Sequence, residues 1–204
     1  MALTIISWTA FSSFIKREAI NFEFDSKTKM SDALFINKIL LNKRKYGLVK
    51  KAYYLYREDS DISFENLNKD EIINAFKYFF KDLIDYSYSI DGYIPLFIQF
   101  LFVYYLKFIV EISSIEDVFQ NQDERNEFWN YLDDILSYID LGSIKYNKTV
   151  TSSIKSFLIY IKNKDFHVDI RDKKVFLSSN AHIINDLTNS MIIFDIVDFK
   201  GGFL

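Results

Sequence analysis

His167 and Asp169 stand two apart in the segment Phe166–Ile170, a spacing that on an extended backbone puts both side chains on one face. An imidazole beside a carboxylate is the usual general-base pair near neutral pH, so this is the first place to look for chemistry. The flanking pattern reads differently. Phe166, Val168 and Ile170 alternate with the pair and are matched by Val175 and Leu177 beyond the Arg171–Lys173 turn, which leaves His167 and Asp169 on the polar side of a hairpin, where such pairs are ordinary. His182 has only Asp186 one helical turn away and belongs to no set at metal-ligand spacing.

Carboxylates gather between Glu116 and Asp140, and Glu127 and Asp134, seven apart, share a helical face. Helical bundles that hold metals with such acids add Glu-x-x-His pairs from facing helices, and this chain has none, so the acids read as a solvated face. The absence of cysteine excludes disulfides, thiolate zinc sites and cysteine nucleophiles. Neither a G-x-G-x-x-G loop, a phosphate-binding G-x-x-x-x-G-K loop nor a G-x-S-x-G elbow occurs. The sequence thus names no catalytic, metal or cofactor-binding residue, implies no cofactor, and points away from an enzyme, although acid–base catalysis by Asp, Glu, Lys or Tyr stays open.

Charge is the polarised feature. Between Asp32 and Glu58 there is no acid, while Lys38, Lys43, Arg44, Lys45, Lys50, Lys51 and Arg57 are all basic, in a chain whose net charge is −3. Tyr46, Tyr53, Tyr54 and Tyr56 are interleaved with them. Cations meet phosphates or acidic protein surfaces, and tyrosines stack on bases, so Lys38, Lys43, Arg44, Lys45, Lys50, Lys51, Tyr53, Tyr54 and Arg57 are the candidate binding residues. The plain alternative is a solvated helical face beside the acids from Glu58 to Glu65, with lysine stems lying over apolar surface.

The elements that must carry these residues are mostly helical. Trp8, Phe11 and Ile15 recur at helical spacing, Ser31 suits the start of a helix reaching towards Arg57 with a break at Gly47, and Asn68–Glu71 resembles a capping box before Ile72–Tyr86. Gly142 fits the C-terminal cap of a helix from Asp123 to Asp140, and Ile154, Leu158 and Ile161 mark another over 151–163. The period then shortens to two in Phe166–Ile170, Lys174–Ser178 and Met191–Phe199, and Ile20, Phe22 and Phe24 alternate in the same way near the N-terminus. These patterns predict an α+β fold, mainly α: a helical bundle with a small antiparallel β-sheet formed mostly by the C-terminal region. One domain over 1–204 is expected, with a mainly helical subdomain at 1–164 and a β-rich one at 165–204.

The run from Tyr93 to Ile112 holds only Lys107 and Glu111 as charges, and it tests whether the chain enters a membrane. Spanning takes about 20 apolar residues, and the uncharged run from Gly92 to Leu106 is shorter. Gln99, Lys107 and Glu111 fall on one stripe at 100° per residue, the pattern of a core helix that touches water along a line. The first residues carry their cations, Lys16 and Arg17, after the apolar stretch, unlike a signal peptide. The expectation is a soluble, cytoplasmic protein with no membrane contact, from an A/T-rich genome that favours Ile, Phe, Tyr, Asn and Lys. Its expected function is non-enzymatic: binding another macromolecule, a protein partner in the first place, as an inhibitor, immunity, counter-defence or accessory protein. The alternative is nucleic-acid binding through the basic 38–57 segment.

Overall fold

Interlocked polar groups precede the first α-helix and a left-handed residue ends it. Thr28 and Ser31 interlock, with the Ser31 hydroxyl donating to the Thr28 carbonyl and the Thr28 N–H donating back to Ser31 Oγ at 3.3 Å. Helix α1 (Ser31–Lys43) starts there and stops at Arg44, which takes a left-handed conformation at φ 55° and donates its N–H to the Leu40 carbonyl. The computed structural model from which these details come describes residues 15–45, 47, 67–111, 115–163, 168–171, 174–177 and 199–200.

The chain divides into two compact units, Met1–Ile135 and Leu136–Leu204. In the first, helix α2 (Lys69–Ala75) opens on the expected capping box: Asn68 Oδ1 accepts from the Glu71 N–H at 3.0 Å, and a Glu71 carboxylate oxygen accepts from the Asn68 N–H at 2.9 Å. Helix α2 continues through a π turn (Phe76–Phe80) into helix α3 (Lys81–Asp91), which ends at Gly92 with φ 71°. Helix α4 (Leu96–Val110) follows Pro95, the N-cap residue, whose carbonyl accepts from the N–H groups of Ile98 and Gln99. A short helix α5 (Ile115–Val118) leads into helix α6 (Gln122–Ser137), whose final turn crosses into the second unit.

The core of the first unit is aromatic. Phe79 meets Tyr105 edge-on at 4.9 Å between ring centroids, and Phe80 meets Phe102 at 5.2 Å, which fixes α4 to the π turn. On the other side Phe76 stacks on Tyr131 at 5.4 Å and meets Phe128 at 5.9 Å, which fixes α6. Phe76, Phe79, Phe80, Phe102, Tyr105 and Phe128 are all essentially buried. Edge-to-face pairs of this kind add about 0.5–1.5 kcal/mol each beyond the burial of their area.

In the second unit helix α7 (Leu141–Lys145) precedes helix α8 (Ser152–Asn163), where Ile154, Phe157, Leu158 and Ile161 are buried as the spacing required. Lys162 Nζ donates to the Leu136 carbonyl at 2.8 Å, tying the end of α8 to the last turn of α6.

Several expectations are corrected. From Ile15 to Asn163 the described residues are 72% helical and include no strand, so the fold is helical and the β-sheet of an α+β class is not supported as part of it. Beyond Asn163 the description is confined to ten backbone positions, Val168–Arg171, Lys174–Leu177 and Phe199–Lys200. Ile20–Phe24 forms no strand: Phe22 and Phe24 each set a ring edge-on to Phe35, so their alternation serves side-chain packing rather than a ladder. Gly142 lies inside α7 rather than capping α6. Gln99 is buried, its amide donating to the Ile94 carbonyl at 3.0 Å, whereas Lys107 lies over the rings of Tyr104 and Phe108 at the wetter face of α4. Among the described residues no helix is long and apolar enough to cross a membrane. The expected helix around Trp8 and Phe11 and the expected strand at 191–199 fall wholly or almost wholly outside the described residues.

Two stability measurements test this packing. Phe80→Ala removes a fully buried ring from the contact between the π turn and α4, and urea denaturation is expected to show a loss of about 3–5 kcal/mol; Tyr78→Ala, on the exposed side of the same turn, is expected to cost under about 1 kcal/mol. The second concerns Glu71. Partial burial opposes its charge, but the ammonium of Lys29, 2.8 Å away, and the Asn68 N–H outweigh it and hold the carboxyl below its ordinary value of 4.5. A carboxyl lowered in the folded state stabilises the fold fully above its unfolded value, and that contribution is lost as pH falls through the folded one. Stability of the native chain should therefore decline below pH 4.5 more steeply than that of Glu71→Gln, measured by denaturation at successive pH values.

Candidate functional site

The basic segment singled out by charge begins on α1, and the structure shows where its first residues go. Helices α1 and α3 pack together. Lys38 Nζ donates to Asp82 at 2.7 Å, and one turn further along both helices the Asn42 amide donates to the Tyr86 hydroxyl. Pairs that advance together in sequence mean that the two helices run parallel and end on the same side. There Arg44 donates through Nη2 to Asp91, and its Nε donates to the Leu41 carbonyl at 2.7 Å. The same Lys38 ammonium lies 5.2 Å from the ring of Tyr86 and 5.9 Å from that of Phe22.

These contacts divide the predicted residues into three groups. Lys38 and Arg44 are engaged in ion pairs that hold α1 against α3. Lys43 and Lys45 are exposed on either side of Arg44, at the C-terminal end of α1, where the carbonyl ends of the helix favour positive charge. Lys50, Lys51, Tyr53, Tyr54 and Arg57 lie outside the described residues. The His167 side chain and His182 lie outside them too, and of Asp169 only the backbone is described.

What the charge pattern missed is the company these cations keep. Asp91 is the last residue of α3, so the Arg44–Asp91 pair sets the end of α1 beside the α3–α4 turn. That turn exposes Tyr88 (46%), Ile90 (42%), Tyr93 (56%) and Leu96 (61%). A signal existed: the buried stripe of α3 runs through Leu83 and Ile84 to Ser87, and Tyr88 and Ile90 fall off it. One pole of the first unit therefore joins two helix C-termini, a glycine turn, exposed aromatic and aliphatic side chains and a run of three cations.

Asp91 is the less exposed member of the pair. Its side chain is only 12% exposed, and among the described residues its second carboxylate oxygen has no hydrogen-bond partner. The guanidinium of Arg44 thus carries most of the compensation for a nearly buried charge.

The remaining charged groups make structural ties. Lys69 Nζ meets Glu124 at 2.6 Å, and this hydrogen bond draws the Glu124 carboxyl down and the Lys69 ammonium up. Arg125 donates to the carbonyls of Phe119 and Gln120 at 2.9 and 3.1 Å, closing the loop before α6. Lys77 is raised by the Tyr131 hydroxyl, while Lys155, half-buried in the second unit, is lowered by desolvation. Burial pushes the Tyr105 hydroxyl well above its ordinary value, with the charge of Asp32 adding to the effect, so at neutral pH it stays protonated in the core. Among the described residues no group of three or more acids and histidines is placed to hold a metal ion.

Two curated proteins of Bacillus subtilis (strain 168) resemble the chain. It is 31% identical to minor teichoic acid biosynthesis protein GgaB over 202 residues, covering 92% of this chain and 22% of that protein. It is 26% identical to minor teichoic acid biosynthesis protein GgaA over 166 residues, covering 76% of this chain and 37% of that protein. The chain therefore spans well under half the length of either relative. No protein-family profile matches it, and no solved structure matches it. Both relatives are named for biosynthesis, which overturns the expectation of an inhibitor, immunity, counter-defence or accessory binding protein, together with its nucleic-acid alternative.

Removing Arg44 tests the coupling at this pole. Arg44→Ala leaves Asp91 nearly buried and uncompensated and should cost about 1–3 kcal/mol in urea denaturation. The double variant Arg44→Ala/Asp91→Asn should recover part of that loss; equal losses from the single and double variants would show that the pair contributes through packing alone.

Proposed function

We propose that this chain takes part in the biosynthesis of a wall polymer of the teichoic acid type, as a helical portion of the biosynthetic protein. The observation that carries the reading is the reach of the similarity: the alignment with GgaB extends along 92% of this chain, well beyond any short motif, at 31% identity. A second relative with the same biosynthetic name aligns over 76% of it. Similarity of this extent supports a related task for this chain.

The chemistry at the described pole is compatible with that task. Teichoic acids are phosphodiester-linked polymers, hence anionic, and Lys43, Arg44 and Lys45 form a cationic run on the surface. Work at an anionic product or its precursors would make activity sensitive to ionic strength, because exposed cations are screened beyond about 10 Å at 0.1 M salt.

A chimera provides the test. The stretch of GgaB aligned with this chain is replaced by the chain itself, and minor teichoic acid is quantified in the purified cell wall of the host strain. Retention of polymer near the native level is the expected result. Loss of polymer despite normal accumulation of the chimera would contradict the reading, and a chimera carrying Phe80→Ala should lose the polymer together with the folded helical body.

A further inference from the structure

We infer that the pole formed by the α1 C-terminus and the α3–α4 turn is a peripheral docking surface for an anionic lipid bilayer. This inference goes beyond the proposed biosynthetic role and does not depend on it. Four observations combine. Tyr88, Ile90, Tyr93 and Leu96 lie within nine residues, and all four are exposed large side chains. They sit at the turn of a helical hairpin, with Gly92 reversing the chain at φ 71° between Asp91 and Tyr93. Exposed apolar groups at a helix-to-helix turn suit insertion into a soft interface.

The mixture of side chains is that of a membrane-water boundary. Tyrosine places its ring at headgroup depth with its hydroxyl in water, while isoleucine and leucine reach the acyl region. Aliphatic groups distinguish the tip from a sugar-binding platform, which uses aromatic faces. Charge complementarity selects the lipid class. Across Leu41–Lys45 and Tyr88–Phe97 the sequence has three cations, Lys43, Arg44 and Lys45, and one acid, Asp91, which is paired with Arg44 and nearly buried. Lys43 and Lys45 are left exposed beside the apolar tip, where basic residues are attracted to an anionic membrane surface. Since no helix of the described residues is long enough to cross a bilayer, contact through this pole would lie on the membrane surface.

The test uses vesicle co-sedimentation of the whole chain, with vesicles of phosphatidylglycerol and phosphatidylcholine in equal parts against phosphatidylcholine alone. Binding to the anionic vesicles, weakened at least about tenfold by either Tyr93→Ser/Leu96→Ser or Lys43→Glu/Lys45→Glu, is expected from the combined apolar and electrostatic terms. Absence of binding at low salt, or binding unchanged in both variants, would overturn the inference. So would binding to a soluble glycerol-phosphate polymer that competes fully with the vesicles, since the cations would then serve a polymer. Because the chain lacks cysteine, Tyr93→Cys carries a single environment-sensitive fluorophore, and Asp123→Cys on α6 carries the same label as a control. A blue shift on anionic vesicles at position 93 but not at 123 supports insertion of the tip; equal shifts at both positions, or none at 93, contradict it.

Discussion

The folded body of the first unit depends on the packing of aromatic rings about the π turn. Phe76, Phe79 and Phe80 come from five consecutive residues, and the extra residue per turn lets that one stretch address two partners. Phe79 and Phe80 reach Tyr105 and Phe102 on α4, and Phe76 reaches Phe128 and Tyr131 on α6. Three of the unit's long elements are thus registered to one another through about one turn of backbone. The ion pairs are peripheral to this. Lys29–Glu71, Lys38–Asp82 and Lys69–Glu124 each tie two segments at the surface, where such a pair contributes at most about 1 kcal/mol.

From that packing follows the geometry of the pole. With the π turn that leads into α3 held by the aromatic cluster, the polar ladder of Lys38–Asp82 and Asn42–Tyr86 aligns α1 along α3 in parallel. Both helices then end at one level, each on a left-handed residue, Arg44 after α1 and Gly92 after α3. Cations on the first and exposed apolar groups around the second are adjacent because the two helices terminate together. Residues more than forty apart in sequence meet here, and no local pattern contains that fact.

What could be read from the sequence, and what could not, separates along the same line. The capping box at Asn68–Glu71 and the buried faces of α3 and α8 follow from local spacing, since each is decided within one or two turns. The uncharged run before Lys107 is short, and among the described residues no helix is long and apolar enough to cross a membrane. The strand expected at Ile20–Phe24 was misjudged because alternation specifies which side chains share a face without specifying a strand to pair with. Phe22 and Phe24 satisfy their alternation against Phe35 instead. The cationic run was visible as charge, but its division into the paired Lys38 and Arg44 and the exposed Lys43 and Lys45 required the partners on α3. Function was beyond reach of residue chemistry for a related reason. Similarity to GgaB and GgaA is spread over most of the chain rather than concentrated in a motif.

Helical scaffold and proposed biosynthetic role join in a single expectation about the organism that makes this chain. Deleting its gene and measuring the phosphate and sugar composition of the purified wall addresses that expectation with the fewest assumptions. The account predicts loss or marked depletion of one anionic polymer, restored by the native gene and not by a copy carrying Phe80→Ala. A wall of unchanged composition in the deletion strain would contradict it.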